Sequence, residues 1–251
     1  MPRTTDSSLW LRCHYPRPDA AVRLVCFPPA GAGATAYASW PRYLPEDVEV
    51  HAVQAPGRED RANEAPLTTV DLLMDALLPE LRRQAAGRPF VFYGHSMGAL
   101  LAFEAARRAE AQWPHGPVLL AVAGAPAPDR WGRSSLRLLP DNRLLEYLAW
   151  LDEAGSVLDD RVARSMLPVL RADIAVCENH THAGGPPLRC PIAAFTGARD
   201  PSVDAAAVAR WGHHTSVGFH TRALPGSHAF PETSRAAMLD ALGQDITACL
   251  D

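Results

Sequence analysis

The chain has 251 residues, of which 47% are hydrophobic, and this is enough for one sizeable core. Its formal net charge of −4 argues against a nucleic-acid-binding protein, which usually carries a basic face. All 24 basic residues are arginines, so any mechanism that depends on a catalytic lysine is excluded.

Seven short apolar runs predict the strands of a sheet. They cover residues 9–14, 22–27, 48–54, 90–93, 118–124, 192–197 and 217–224. Several are almost continuously apolar, which is typical of parallel strands buried on both faces. The first two runs are joined by a short link that contains Pro and Asp, so we expect them to pair as an antiparallel hairpin.

Amphipathic segments alternate with these runs and predict helices. The first, TTVDLLMDALLPELRRQAA, carries an apolar stripe of Leu72, Leu73, Ala76, Leu77 and Leu81. Two late segments, PSVDAAAVARWG and PETSRAAMLDALGQDITACL, are each expected to begin at their Pro. Strands that alternate with helices indicate an α/β fold, with a mainly parallel sheet of about seven strands and helices on both faces.

The region 126–190 interrupts the alternation, because it shows two long helical patterns and no strand pattern. Inserted between two core strands, it would lie over the carboxyl edge of the sheet, where open α/β sheets bind ligands. We therefore expect one domain over residues 1–251, with residues 126–190 as a helical lid. A packing role without part in substrate binding is the alternative.

The cysteines, two histidines and the apolar runs indicate whether the chain binds a metal and where in the cell it is found. The five Cys are scattered without a CxxC pair, which predicts neither a zinc site nor a disulfide framework. His180 and His182 fall in a helical pattern, where a spacing of two puts them on different faces, so no metal pair is expected. The N-terminal segment lacks a signal-peptide core, and no apolar run approaches the ~18 residues of a membrane span. We expect a cytoplasmic monomer without membrane contact.

The stretch FVFYGHSMGALLAF places Ser96 in a Gly-x-Ser-x-Gly pattern between a strand and a helix. This is the nucleophile-elbow pattern, in which a strained turn projects the serine hydroxyl above the sheet. Gly94 and Gly98 would let the strand and the helix approach this turn. A helix N-cap is the alternative role for Ser96.

A nucleophilic serine needs a base and an orienting acid, which follow it in the chain order Ser, acid, His on this type of fold. His228, in LPGSHAF, lies in the turn between the last strand and the last helix. Asp200, in FTGARDPSV, follows the preceding strand at the same edge of the sheet. Asp204 is the competitor, although it should lie inside the next helix, and Asp200 could instead serve as the N-cap of that helix.

Two backbone N–H groups are expected to form an oxyanion hole. One is that of Met97, the residue after the nucleophile. The other should come from the loop CFPPAGAGATAY, where we choose Ala30 and keep Gly31 as the alternative. A plain Gly/Pro turn would also explain that loop.

At the level of motifs, the chain resembles the type II thioesterases of polyketide and nonribosomal peptide pathways, which belong to the α/β-hydrolases. The segments that carry the resemblance are RLVCFPPAGAGA, VEVHAVQAPGREDR, PFVFYGHSMGALLAFEAARR, LPVLRADI, CPIAAFTGARDP and LPGSHAF. They span about residues 22–230. The functional residues of the family fall on Ser96, Asp200 and His228 of this sequence.

The resemblance implies hydrolysis of acyl groups from the phosphopantetheine arm of an acyl or peptidyl carrier protein. The usual role is editing, which removes incorrect or stalled acyl units. No metal or diffusible cofactor is implied. Because carrier proteins are usually acidic, a basic rim would favour docking. Arginines 130, 133, 137 and 143 are candidates for such a rim, and an ordinary solvated face explains them equally well.

Other functions are compatible with the same catalytic residues. A carboxylesterase or an acyltransferase would use an identical triad, because fold and triad do not define the acceptor. A non-catalytic binding protein on this fold is a further alternative, which trapping of Ser96 with a phosphonate would test.

Overall fold

A seven-stranded sheet forms the centre of the structure, a computed structural model that describes residues 9–85, 87–131, 134–151 and 160–250. The strands are β1 Leu11–Arg12, β2 Val22–Phe27, β3 Val48–Val53, β4 Phe90–His95, β5 Leu119–Ala123, β6 Ile192–Gly197 and β7 Phe219–Leu224. Their order across the sheet is β1-β3-β2-β4-β5-β6-β7, and every neighbouring pair except β1–β3 is parallel. The predicted mainly parallel α/β sheet is therefore confirmed.

Helices cover both faces of the sheet. They are α1 Val70–Ala85, α2 Met97–Gln112, α3 Asp141–Leu151, α4 Asp160–Asn179, α5 Ala205–Ala209, α6 Phe230–Thr233 and α7 Arg235–Ala248. Strand β2 shows how the core divides, because alternate side chains point to opposite faces. Val25 and Phe27 pack in the cluster that contains α1 and α2, whereas Leu24 and Cys26 pack in the cluster that contains α7.

The predicted hairpin between the first two strands is wrong. Strand β1 pairs antiparallel with β3, with Leu11 opposite Val53 and Arg12 opposite Ala52. β2 pairs in parallel with β3 and β4 instead. The chain crosses from β1 to the other side of β3 before it enters the sheet again, so that β1 becomes an edge strand of two residues.

Two helix details also differ from the sequence prediction. Leu73, Leu77 and Leu81 of the predicted stripe of α1 are buried, whereas Leu72 is 51% exposed. Helix α5 begins at Ala205, not at Pro201, because Asp204 is its N-cap and accepts a hydrogen bond from the backbone N–H of Ala207 at 2.6 Å. An N-cap carboxylate of this kind satisfies a donor of the first helical turn.

Helices α3 and α4 lie between β5 and β6 in the chain and contact each other through a small apolar cluster. Leu144 of α3 packs there against Leu167, Leu170 and Ile174 of α4. Among the described residues, no helix is both long and apolar enough to cross a membrane.

Candidate active site

Ser96 occupies a strained turn between β4 and α2. Its backbone dihedrals are φ 54° and ψ −121°, a conformation that few residues other than glycine adopt. The Ser96 N–H donates a hydrogen bond to the carbonyl of Ala123, at the end of β5, at 2.8 Å. Such a turn is what a nucleophile elbow requires, because it lifts the hydroxyl above the sheet.

Close approach of backbone segments explains the glycines on either side of Ser96. A Cβ on Gly94 would lie 2.1 Å from the Gly98 carbonyl oxygen, and a Cβ on Gly98 would lie 2.0 Å from the carbonyl oxygen of Phe27. Both distances are far below van der Waals contact. The elbow can therefore form only with glycine at both positions, as the pattern predicts.

The loops after β6 and β7 bring Asp200 and His228 together. Oδ2 of Asp200 lies 2.8 Å from Nδ1 of His228. Backbone hydrogen bonds hold the two loops side by side: the Ala198 N–H donates to Leu224 at 2.8 Å, and the Arg199 N–H donates to Gly226 at 2.9 Å. The sequence placed both residues at this edge.

A third residue, Ser202, supports this pair and was missed by the sequence reasoning. Its backbone N–H and its hydroxyl both donate to Oδ1 of Asp200, at 2.9 and 2.6 Å, and the hydroxyl lies 3.1 Å from Nδ1 of His228. Burial raises the pKa of Asp200, but the hydrogen bonds from His228 and Ser202 outweigh it and hold that pKa below its usual value. Asp200 therefore stays ionised beside the imidazole.

His95, next to the serine, is almost completely buried. Its Nε2 lies 3.0 Å from the backbone carbonyl of His228, and the two imidazole rings are 5.0 Å apart. Burial, reinforced by the nearby His228, lowers the pKa of His95 to about 3. A neutral His95 can donate from Nε2 and thereby hold the loop that carries His228.

The two expected oxyanion donors belong to residues that line one cavity. Met97 is the first residue of α2, where backbone N–H groups have no acceptor within the helix. Ala30 follows β2 and lines the same cavity as Ser96 and His228. The N–H of the alternative donor, Gly31, is already bound to Oδ2 of Asp173 at 2.7 Å. The geometry therefore favours Ala30 over Gly31.

The cavity beside Ser96 measures about 320 Å³ and is mainly apolar. Its floor includes Pro29, Ala30, His95, Ser96, Met97 and His228. Its roof comes from the predicted lid region and includes Trp131, Leu136, Tyr147, Leu148, Leu170, Ile174 and Cys177. Polar groups also face the cavity from this region, and one of them, Glu178, accepts a hydrogen bond from the Ser134 hydroxyl at 2.6 Å.

Two of the four arginines of the predicted basic rim form ion pairs within the chain. Arg137 pairs with the buried carboxylate of Glu178, and Arg143 pairs with Glu146 one turn along α3. Arg133 lies outside the described residues. Because Glu178 lines the cavity, Arg137 stabilises the cavity wall. Arg130 is exposed, and no ion pair of its side chain is seen within the described part of the chain.

The prediction that His180 and His182 lie in a helix is wrong, because α4 ends at Asn179. The donor atoms of His180, His182 and Glu104 lie within 4.8 Å of one another, and His180 Nε2 is 3.9 Å from the Glu104 carboxylate. Ligands of tetrahedral zinc are only about 3.3 Å apart, given Zn–N bonds of roughly 2.0 Å. Arg107 already binds the other Glu104 oxygen at 2.8 Å. These three side chains could hold a metal ion only after closing around it.

Arg58, in the segment QAPGREDR, binds far from its own loop. The Arg58 guanidinium binds both carboxylate oxygens of Asp173 on α4, at 2.7 and 2.8 Å. Gln54 also reaches out of the segment, since its Oε1 accepts from the N–H of Ala34 at 2.7 Å. A separation of 115 residues between Arg58 and Asp173 leaves no periodic signal by which a single sequence could reveal the contact.

Comparison with protein families gives one match over most of the chain. A model described as a thioesterase domain matches residues 22–246.

Relatives and solved structures are similar over nearly the whole length. The gramicidin S biosynthesis protein GrsT of Aneurinibacillus migulanus is 35% identical over 88% of this chain and 87% of its own. Thioesterase PikA5 of Streptomyces venezuelae is 36% identical over 91% of this chain and 82% of its own. The structure of the type II thioesterase BorB, from the borrelidin biosynthetic cluster, superposes with a TM-score of 0.89 at 37% identity, covering 96% of this chain and 99% of BorB.

Proposed function

The chain belongs to the thioesterase family and is a thioester hydrolase, and from that premise we propose that it releases acyl groups from the phosphopantetheine arm of carrier proteins. Relatives are named for the biosynthesis of gramicidin S and for the borrelidin cluster. These names support a role in polyketide or nonribosomal peptide synthesis. There the enzyme would remove incorrect or stalled acyl units from an acyl or peptidyl carrier protein.

In the first half of the reaction, the Ser96 hydroxyl attacks the thioester carbonyl and His228 accepts its proton. Asp200 holds Nδ1 of His228 at 2.8 Å, so that Nε2 is the basic nitrogen and the charged imidazolium is stabilised. The N–H groups of Met97 and Ala30 bind the oxyanion that develops, each contributing about 3 kcal/mol by comparison with measured oxyanion donors. As the intermediate collapses, His228 returns the proton to the departing pantetheine thiol.

In the second half, water takes the place of the thiol. His228 removes a proton from the water, which attacks the acyl-Ser96 ester through a second oxyanion intermediate. The free acid leaves, and Ser96 regains its proton from His228. The only prosthetic group in this scheme is the phosphopantetheine of the substrate.

The cavity supports this assignment of the substrate. An apolar volume of about 320 Å³, reaching from Ser96 to the side chains of α3 and α4, suits an acyl chain better than a charged group. The walls come from two helices inserted between β5 and β6, so the acyl preference would be set by that region.

One observation carries the proposal: a strained Ser96 lines the same apolar cavity as His228, whose imidazole is hydrogen-bonded to Asp200. The test compares hydrolysis of matched acyl-pantetheine thioesters and oxygen esters by the wild type and by Ser96→Ala. In addition, the wild type is treated with a serine-directed phosphonate, and peptide mass spectrometry identifies the labelled residue. We expect faster thioester hydrolysis, labelling of Ser96, and loss of activity in the variant. Equal hydrolysis of both substrates would favour a carboxylesterase, and labelling at another residue would contradict the assignment of Ser96.

A further inference from the structure

The loop that carries Ala30 is anchored from two distant parts of the chain. Oδ2 of Asp173, on α4, accepts the Gly31 N–H at 2.7 Å and also binds Arg58 at 2.7 Å. Arg58 in addition donates to the carbonyl of Ala32 at 3.1 Å. Asp173 is 1% exposed and Arg58 is 7% exposed, so both charges are removed from solvent.

The anchored segment is a tight turn. The Ala32 N–H donates to the Pro29 carbonyl at 3.1 Å, and Gly31 has φ +81°, as in a type II turn. Type I and type II turns differ by a flip of the central peptide, here the one that joins Ala30 to Gly31. Asp173 accepts the N–H of that peptide, and this contact selects the type II form.

Electrostatics make the Arg58 partner necessary. A carboxylate one residue away from an oxyanion donor would oppose the negative charge that develops in the transition state. The guanidinium of Arg58 binds Asp173 through two hydrogen bonds and balances this charge. The pair thus supplies an acceptor for Gly31 without leaving a net negative charge beside the cavity.

We propose that Asp173 is a positioning residue for the oxyanion hole, and that Arg58 holds it in place and neutralises it. By binding the Gly31 N–H, Asp173 holds the turn in place and thereby positions the preceding peptide, whose N–H is that of Ala30, beside the reacting carbonyl. The neighbouring residue Ile174 lines the cavity, so one turn of α4 both contacts the substrate space and sets the oxyanion loop. This inference rests on the proposed function, in which Ala30 is an oxyanion donor.

A purely structural ion pair is the competing explanation, and the chain offers a matched control for it. Asp245 on α7 is 7% exposed and is bound through both oxygens by Arg222, away from Ser96. Replacing Asp245 by Asn removes a buried, arginine-bound carboxylate without touching the oxyanion loop.

The experiment compares wild type, Asp173→Asn and Asp245→Asn, each first shown to be folded by its thermal unfolding. It measures kcat and KM for a small acyl-pantetheine thioester, together with inhibition by a trifluoromethyl ketone analogue and by the product acid. An amide has a single acceptor oxygen and cannot hold both Arg58 and Gly31 as the Asp173 carboxylate does. For Asp173→Asn we therefore expect kcat to fall about 10- to 100-fold, as for a displaced catalytic group, with KM changed less than about threefold. Affinity for the ketone, which forms an oxyanion, should fall in parallel, and affinity for the acid should not.

A second comparison, between Arg58→Gln and the double variant Arg58→Gln/Asp173→Asn, tests the inference if Asp173→Asn alone does not fold. Arg58→Gln leaves a buried carboxylate unpaired, whereas the double variant leaves two neutral amides, so its kcat should exceed that of Arg58→Gln. A kcat for folded Asp173→Asn within about twofold of that of Asp245→Asn would overturn the inference, as would equal losses for the ketone and the acid. A wild type that hydrolyses no thioester would instead contradict the proposed function.

Discussion

Asp200 and His228 belong to different loops, yet their side chains meet at 2.8 Å while Ser202 binds the remaining carboxylate oxygen. Asp200 is therefore held from both sides, with its pKa below the usual value despite burial. An ionised acid in this position fixes the tautomer of His228.

Asp200→Asn is expected to lower kcat about 10⁴-fold, as loss of the orienting carboxylate does in other serine hydrolases. The amide would favour the wrong imidazole tautomer and could not stabilise the imidazolium. Steady-state thioester hydrolysis measures the effect. Asp204→Asn is the control, because Asn caps helices as well as Asp does, and it should retain activity close to wild type.

The meeting of these residues could be predicted because each candidate directly follows a parallel strand, and carboxyl ends of such strands share one edge. Ser96, Asp200 and His228 follow β4, β6 and β7 in this way. Whether they act as a triad remains the prediction that the Asp200 experiment tests.

Other features could not be read from the sequence, for physical reasons. Strand β1 pairs with β3 through only two residues. Neither so short a strand nor the short link after it specifies which neighbouring strand it pairs with. Pro201 and Asp204 both carry helix-start signals, and only the hydrogen bond to Ala207 distinguishes them. The contact between Arg58 and Asp173 joins segments with no local pattern in common.

Gly98→Ala is expected to destabilise the protein by about 3 kcal/mol or more, although alanine has the higher helix propensity. The added Cβ would lie 2.0 Å from the Phe27 carbonyl oxygen, so β2 and α2 would have to separate. Urea unfolding measures the loss. Gly218→Ala is the control, since the nearest atom to its Cβ is 4.0 Å away, and it should change stability by less than about 0.5 kcal/mol. Similar values for both variants would refute the steric explanation.

Glu49→Gln is expected to change how stability depends on pH. Burial raises the pKa of Glu49, but hydrogen bonds from His51, Arg17 and Arg23 outweigh it and lower that pKa to about 2. Because the folded pKa is below the unfolded value, ionised Glu49 stabilises the fold above the unfolded pKa, and this contribution is lost as the pH falls toward 2. The free-energy difference between wild type and variant should therefore be greatest above about pH 5 and shrink with acidification. A difference that stays constant from pH 7 to pH 3 would show that ionisation of Glu49 is not its source.

Leu148→Phe tests whether the roof of the cavity sets acyl preference. Leu148 lies on α3, is partly exposed and lines the cavity, so a larger ring there can shorten the space without disrupting the core. We expect kcat/KM to fall about tenfold or more for long acyl-pantetheine chains and to change little for acetyl. A methylene group that no longer fits an apolar pocket raises the transition-state free energy by roughly 1–3 kcal/mol. Leu72→Phe, on the exposed side of α1, is the matched control. Parallel losses for all chain lengths would place the acyl chain elsewhere.

The most direct test of the central claim is single-turnover release of acyl groups from a phosphopantetheinylated carrier protein, with wild type and Ser96→Ala side by side. Short, long and branched acyl chains are loaded separately, and the free acid is measured over time. We predict release by the wild type and none above background by the variant. If the wild type releases no acyl group from any carrier while it still cleaves simple esters, the proposal of a carrier-protein thioesterase is contradicted.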